Sequence, residues 1–257
     1  LTIDYRKAGS FDMVKGDIQD QDYLFPSSQL ALELFKQEGR KATQDEIIFN
    51  TPIVLYSYKP VVEALKKAGV ITVRDGIHYV DMQTLAKLMV EGKSWQKIGL
   101  NNQYGEILVD TTDPSASNSG NMFLGLLANA MNGNKMVSMD QAKELLPDLK
   151  KIYQSIGYMN TSSADLFSQF LTLGAGSYPI IAGYESQLLE YSVQDPETYK
   201  RVKDNIIILY PEPTVWSSHI FISLNKKAEV AIDALTDKKV QDLAWKDHGY
   251  RTIVSGS

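Results

Sequence analysis

Segments typical of β-strands alternate with segments typical of amphipathic helices along almost the whole of this 257-residue sequence. Residues 47–56 are rich in β-branched and aromatic side chains and predict a buried strand, and residues 60–68 then predict a helix. The same succession recurs at residues 179–185 and 187–194. This alternation predicts an α/β fold with mainly parallel sheets and helices on both faces.

The remaining elements follow from the same two periodicities and from turn residues. Strands are predicted at residues 1–6, 23–25, 107–109, 205–210 and 220–224. Helices are predicted at residues 30–38, 81–91, 121–131, 141–155, 163–173 and, as one or two helices, 228–248. Two helix starts have the spacing of capping pairs, namely Ser138 with Gln141 and Ser162 with Asp165.

Composition excludes several classes of function. The chain has no cysteine, which rules out disulfide frameworks, thiol nucleophiles and iron–sulfur clusters. Its formal net charge is −5 with both signs interspersed, whereas a nucleic-acid binder normally presents a basic face. No uninterrupted apolar run approaches the ~20 residues that span a bilayer. Because Leu1 is not a start methionine, any export signal or lipid anchor is expected upstream of this sequence.

Enzyme motifs are mostly missing. Neither a Gly-x-Ser-x-Gly elbow nor a P-loop occurs, and the Gly-Ala-Gly at residues 174–176 lacks the third glycine of a dinucleotide fingerprint. Residues 94–97 match Ser-x-x-Lys, but no Lys-Thr-Gly accompanies them. The three histidines, His78, His219 and His248, lie far apart, without a second ligand at metal-binding spacing. The sequence therefore predicts a protein with no catalytic centre, metal ion or cofactor.

Hydroxyl-rich loops stand at three predicted strand-to-helix junctions. The first turn of a helix has free N–H donors, and open α/β sheets bind ligands beyond the carboxyl ends of their strands. The residues expected to contact a small anion or polar solute there are Ser10, Ser27, Ser28, Ser117, Asn118 and Ser119. An ordinary helix N-cap explains each serine at least as simply, so both interpretations stand at this stage.

Three further residues complete the candidate ligand site. Glu185 follows an apolar run, where a carboxylate either faces a ligand or bonds within the protein, and burial requires a partner in both cases. Tyr184 and Trp216 stand at strand ends, where an aromatic side chain either covers a ligand or fills the core.

The C-terminal part of the chain carries the most specific pattern. Residues 228–235 and Val240-Gln241 predict helix, and His248-Gly249-Tyr250-Arg251 follows. This order is similar to the closing signature of the type II extracytoplasmic solute-binding proteins of ABC importers, in particular the sulfate- and molybdate-type branch. Residues 113–121 resemble the family's anion loop, residues 183–187 its aromatic corner, and residues 9–10 with 26–28 its serine loops.

The resemblance implies two lobes with two hinge crossings. Lobe one would comprise residues 1–105 and 213–257 and lobe two residues 106–212, with the hinge near residues 105–106 and 211–213. A monomeric, extracytoplasmic protein would close on its ligand in the interlobe cleft and deliver it to the membrane permease of an importer. Family members usually begin with a strand and a helix ahead of the strand that residues 1–5 resemble, so this sequence is expected to lack that unit.

The favoured ligand is an oxyanion or another compact polar solute, because neutral donors and helix starts suit desolvated oxyanions. Two other function classes stay open. An enzyme on the same two-lobed fold would use Glu185 or His219 as a base. An extracellular sensor or interaction module would keep the fold without converging polar groups in the cleft.

Overall fold

The computed structural model describes residues 2–6 and 8–253 of the chain. The strands are β1 (Tyr23–Leu24), β2 (Gln44–Tyr58), β3 (Ile71–Arg74), β4 (Ile77–Asp81), β5 (Ile180–Tyr184), β6 (Ile206–Glu212), β7 (Trp216–Ser223) and β8 (Arg251–Thr252). The helices are α1 (Ser10–Lys15), α2 (Gln29–Gln37), α3 (Lys59–Lys67), α4 (Met82–Val90), α5 (Asn118–Met131), α6 (Met139–Ile156), α7 (Ser163–Leu173), α8 (Glu185–Gln194), α9 (Pro196–Val202), α10 (Lys226–Thr236) and α11 (Lys238–His248). A short 3-10 helix spans Trp95–Ile98.

The chain forms two compact units, whose bounds differ from those of the predicted lobes. Unit 1 comprises Leu1–Pro52, Glu185–Gln194 and Trp216–Ser257, and unit 2 comprises Ile53–Tyr184 and Asp195–Val215. The first crossing therefore lies at residues 52–53 instead of near 105–106, whereas the last lies close to the predicted 211–213. Because residues 185–194 belong to unit 1, the chain passes between the units four times and not twice. Strand β2 runs through the first boundary as one continuous strand, although Asn50-Thr51-Pro52 interrupts its apolar run there.

The sheet of unit 1 consists of antiparallel ladders. The first part of β2 pairs with β7, from Gln44 opposite Ser223 to Pro52 opposite Trp216. Strand β1 extends the sheet beside β7, and β8 pairs with β2. Successive residues of β7 point to opposite faces, with Ile220 and Ile222 in a cluster with α1 and α2, and Phe221 in a cluster with α10. Helices therefore pack on both faces of this sheet, as predicted.

Unit 2 contains a mixed sheet. The last part of β2 pairs antiparallel with β5 and β6, β3 pairs antiparallel with β4, and β4 runs parallel to β6. The prediction of mainly parallel sheets is therefore wrong. Among the described strands, the pairing of β4 with β6 is parallel and the other ladders are antiparallel. The alternation of strands and helices fixes the class of elements but not their direction, because the long helical connections after β2 can return the chain to it from either end.

Most predicted helices form within a few residues of their expected bounds, and residues 228–248 form the two helices α10 and α11. Ser138 and Gln141 make a reciprocal capping box, and Ser162 Oγ accepts a hydrogen bond from the Asp165 N–H. Two strand predictions are wrong. Residues 2–6 form no strand, with Leu1 outside the described residues, and residues 107–109 form no ladder, although Glu106 and Asp110 make isolated bridges.

Candidate functional site

In unit 2 the loop predicted as an anion site leads directly into α5. Thr112 Oγ1 donates to Ser117 Oγ over 2.9 Å and lies 2.9 Å from Ser119 Oγ, and the two serine oxygens are 3.0 Å apart. All three side chains are buried. A hydroxyl carries one proton and two lone pairs, so the members of this hydroxyl triangle can bond one another or turn protons toward a bound acceptor. Thr112 is a member that the sequence-based selection of site residues missed.

Gly120 brings the first turn of α5 against the backbone of the preceding loop. A Cβ atom at this position would lie 2.2 Å from the Thr112 carbonyl oxygen and 2.9 Å from the Asp113 carbonyl carbon. Only glycine fits such an approach, because every other residue type carries a Cβ. Gly120 therefore fixes the position of the helix start relative to the hydroxyl triangle.

Asn118 and Tyr184 meet in the same unit. Asn118 Nδ2 donates to the Tyr184 phenol oxygen over 3.1 Å. Tyr184 is the last residue of β5, and both side chains are half-buried. The structure therefore brings together two of the predicted ligand-contacting residues next to the hydroxyl triangle, since Asn118 begins the helix that carries Ser119.

In unit 1 the two predicted serine loops also meet. Ser10 Oγ lies 3.0 Å from Ser27 Oγ and accepts the Ser27 N–H over 3.1 Å. The Ser27 carbonyl oxygen accepts from Ser217 Oγ over 2.7 Å. Ser28 is buried and is the N-cap residue of α2, but its side chain makes no capping hydrogen bond. The two loops thus meet through the hydrogen-bonded pair of Ser10 and Ser27.

Glu185 has its partner inside unit 1. Its two carboxylate oxygens accept hydrogen bonds from Nε and Nη2 of Arg251, each over 2.8 Å. The Glu185 side chain is 2% exposed and that of Arg251 37%. This bidentate pair supports the structural interpretation of Glu185. Trp216, the other aromatic candidate, starts β7 and is 52% exposed, so it does not fill the core.

The remaining residues of the C-terminal pattern also stabilise unit 1. Gln241 is fully buried, and its Nε2 donates to the carbonyl oxygens of Ile48 and Leu235. Gly249 ends α11 in the left-handed region, with φ at 68°. Arg251 holds Glu185 as described above. The most specific part of the resemblance is therefore explained by folding contacts in unit 1.

His219 is a buried ring outside any group of metal ligands in the described part of the chain. Burial lowers the pKa of His219 to about 4, so its ring is neutral at pH 7 and a weak base. It packs edge-on against Tyr250, with 5.0 Å between the ring centroids. Within residues 2–6 and 8–253, no three His, Asp or Glu side chains group as metal ligands. In the same part of the chain, every helix is too short or too polar to cross a membrane.

Asp110, just ahead of the hydroxyl loop, has the most perturbed carboxyl group in this region. Desolvation by burial raises its pKa to about 7. Because the folded pKa exceeds the model-peptide value of ~3.9, the folded chain binds an extra proton between about pH 4 and 7. The carboxyl group therefore lowers the stability of the fold progressively as the pH rises through that window.

We expect Asp110→Asn to stabilise the protein at pH 8 by up to about 4 kcal/mol, because the amide removes the cost of a desolvated charge. The gain should shrink as the pH falls and approach zero below about pH 4, where the carboxyl group becomes protonated in both states. Urea unfolding of both proteins at pH 4.5, 6 and 8 measures this difference. A difference that stays constant across the three pH values would contradict the assigned cause.

Comparison of the sequence with family models and with curated protein sequences finds no match. Solved structures, by contrast, share the fold. The sulfate-binding protein SubI from Mycobacterium tuberculosis H37Rv superposes with a TM-score of 0.55 at 13% identity, covering 96% of this chain and 73% of SubI. The substrate-binding protein of the ABC transporter from Agrobacterium tumefaciens gives a TM-score of 0.54 at 12% identity, covering 91% of this chain.

This chain spans 65% of the Agrobacterium protein, slightly less than two thirds of its length. At these identities the likeness describes the backbone arrangement and not the ligand. Both the α/β class and the division into two units agree with the expectation from the sequence. The chain therefore has the type II periplasmic-binding-protein fold, the fold that it shares with the sulfate-binding protein SubI and with an ABC-transporter substrate-binding protein.

Proposed function

We propose that this chain is an extracytoplasmic solute-binding protein that captures a small oxyanion, or another compact polar solute, for an ABC importer. The shared fold supports the proposal. The observation that carries it is the hydroxyl triangle of Thr112, Ser117 and Ser119 at the start of α5. A helix of 14 residues presents free N–H groups and the positive end of its dipole at this point.

The neighbouring groups suit the same ligand. Asn118 adds an amide and Tyr184 a phenol, and both are neutral hydrogen-bonding groups that are partly accessible. Neutral donors at a helix start can hold a desolvated anion without a lysine or arginine. Ser10, Ser27, Ser28 and Trp216 in unit 1 are also proposed as ligand-contacting residues, and alanine variants of Ser10 and Trp216 in the same titrations would test that role.

We expect a thermal-shift screen to identify oxyanions as ligands. A ligand present at 100 times its dissociation constant adds ~2.7 kcal/mol to the folded state. For a chain of this size that gain raises the melting temperature by about 5–10 °C. Sulfate, molybdate and phosphate should be compared with amino acids and sugars at equal ionic strength, with potassium chloride as the salt control.

Variants of Asn118 assign the effect to the start of α5. Asn118→Ala should lose most of the oxyanion-induced shift, whereas Asn102→Ala, which changes an exposed turn residue of the same unit, should keep it. If only a sugar or an amino acid raises the melting temperature, the proposed ligand class is wrong. If oxyanions stabilise both variants equally, the ligand binds elsewhere.

The partner and the location belong to the same proposal. A captured solute requires a membrane permease to receive it, and a permease of an importer takes its solute on the extracytoplasmic side. We propose that the chain acts there as a monomer. Vesicles reconstituted with such a permease should accumulate the solute only when this protein is added at their outer face.

A further inference from the structure

Unit 2 contains a cavity of about 380 Å³ that none of the predicted ligand-contacting residues lines. Its lining includes Asp110, Glu106, Trp95, Tyr104, Ser155 and Ser177. Ser177 precedes β5, whereas Tyr184 ends it, and a strand of five residues spans ~16 Å. Ser177 therefore marks the start of β5, whereas Asp110 stands beside Ile181 in the strand itself.

Asp110 gives this cavity an uncompensated carboxylate. Its backbone is fixed on both sides, because its N–H donates to the Ile180 carbonyl oxygen over 2.9 Å and its carbonyl oxygen accepts the Ala182 N–H over 2.8 Å. Its side chain has no hydrogen-bond or ion-pair partner among residues 2–6 and 8–253. A desolvated carboxylate without a partner is costly, and a bound cation would offset that cost.

The rest of the lining adds negative potential. Glu106 also lines the cavity, with its carboxylate group next to Gly92, and Ser155 and Ile156 place the C-terminal end of the 18-residue helix α6 at the cavity. The free carbonyl groups and the dipole of a helix C-terminus attract positive charge. Among the described lining residues there is no lysine or arginine that could neutralise this potential.

The aromatic residues distinguish an organic cation from a metal ion. Trp95 and Tyr104 both line the cavity, with Trp95 1% exposed and Tyr104 83% exposed. Ammonium groups bind over aromatic faces as well as to carboxylates. Calcium, by contrast, requires six to eight oxygen ligands, and no group of three acidic or histidine side chains occurs in the described part of the chain.

We propose that this cavity binds a small organic ammonium ion, with Asp110 as its ion-pair partner, Glu106 as a second carboxylate and the Tyr104 ring against its alkyl or ammonium groups. Its lining shares no residue with the proposed oxyanion site, and the proposal does not depend on that site. It would give unit 2 a second ligand of opposite charge.

Isothermal titration of the full chain at pH 8 with n-butylammonium chloride tests the proposal. The neutral control is 1-butanol, which has nearly the same shape without the charge. We expect saturable binding of butylammonium, none of butanol, and a loss of about tenfold or more in affinity for Asp110→Asn. Asp148→Asn removes the same charge from an exposed position of α6 outside the cavity and should bind like the parent.

Three results would overturn the proposal. The first is no saturable binding of butylammonium to the parent protein. The second is equal affinity in the parent and in Asp110→Asn, which is expected to fold because it removes a desolvated charge. The third is the displacement of bound butylammonium by calcium chloride, because that result would identify the cavity as a metal site. Glu106→Gln provides a further check and should weaken binding several-fold.

Discussion

Replacing Gly120 with alanine is expected to destabilise the protein by about 3 kcal/mol or more and to remove oxyanion binding. The added Cβ would lie 2.2 Å from the Thr112 carbonyl oxygen, a backbone atom that cannot turn aside. Overpacking of this kind costs typically about 1–3 kcal/mol and occasionally more, and a contact this short belongs to the upper end. The start of α5 must then move away from Thr112, and the hydroxyl triangle opens. Urea unfolding and oxyanion titration measure the two effects.

Gly125 in the same helix is the matched control. It is exposed, and a Cβ there would meet no atom within 4 Å. Gly125→Ala should therefore stabilise the protein by about 0.5–1 kcal/mol, since alanine is the better helix former, and should leave oxyanion affinity unchanged. If the two variants change stability in the same direction and by similar amounts, the close approach at Gly120 is not what positions α5.

Replacing Arg251 with methionine should cost about 3 kcal/mol of stability. The change leaves the Glu185 carboxylate, 2% exposed, without the bidentate partner that compensates its burial. Breaking a buried pair from one side typically costs about 3–5 kcal/mol, and we expect the lower end because Arg251 itself is 37% exposed. Denaturant unfolding provides the measurement.

Arg74 provides the comparison for this prediction. It also pairs with a glutamate, Glu212, but both side chains are about half exposed, so Arg74→Met should cost no more than about 1 kcal/mol. The double variant Glu185→Gln with Arg251→Met should regain part of the stability lost by Arg251→Met alone, because the buried charge that lost its bidentate arginine is then removed. Equal losses at Arg251 and Arg74 would mean that burial of Glu185 carries no extra cost.

Sequence periodicity predicts the helices of this protein well, because their apolar faces and capping residues are local signals. The capping box of Ser138 with Gln141 illustrates this, since both partners lie within one turn. The hairpin β3–β4 was missed although its signal is present. Asp75 and Gly76 both have positive φ, 50° and 79°, as a two-residue turn between flanking strands requires, and an Asp-Gly pair is typical of that turn.

Strand direction and the division into units could not be read from the sequence. They depend on which segments meet β2, and those partners come from residues more than 100 positions away, as in the pairing of Leu55 with Leu209. Asn50-Thr51-Pro52 interrupts the apolar run at the first boundary, but the strand continues through these residues. Three residues of this kind within one strand do not by themselves indicate a boundary between two units.

The candidate site was predicted in part. The loop ahead of α5 was selected for its hydroxyl groups, and Ser117 and Ser119 do meet, but their partner Thr112 and the role of Gly120 depend on a backbone contact that no sequence pattern records. The sequence alone does not distinguish a ligand-binding from a structural role for Glu185, because its partner, Arg251, lies 66 positions away along the chain. No sequence pattern indicates Asp110 as a candidate ligand-binding residue, because only its burial makes it unusual.

Oxyanion binding at the start of α5 is the central proposal, and amide chemical-shift mapping is its sharpest test. The labelled protein is titrated with the oxyanion that gives the largest thermal shift. We expect the largest saturable chemical-shift changes on the amide groups of Asn118, Ser119 and Gly120, and Gly125→Ala should keep them. Saturable binding that leaves these amides unshifted would contradict the proposal.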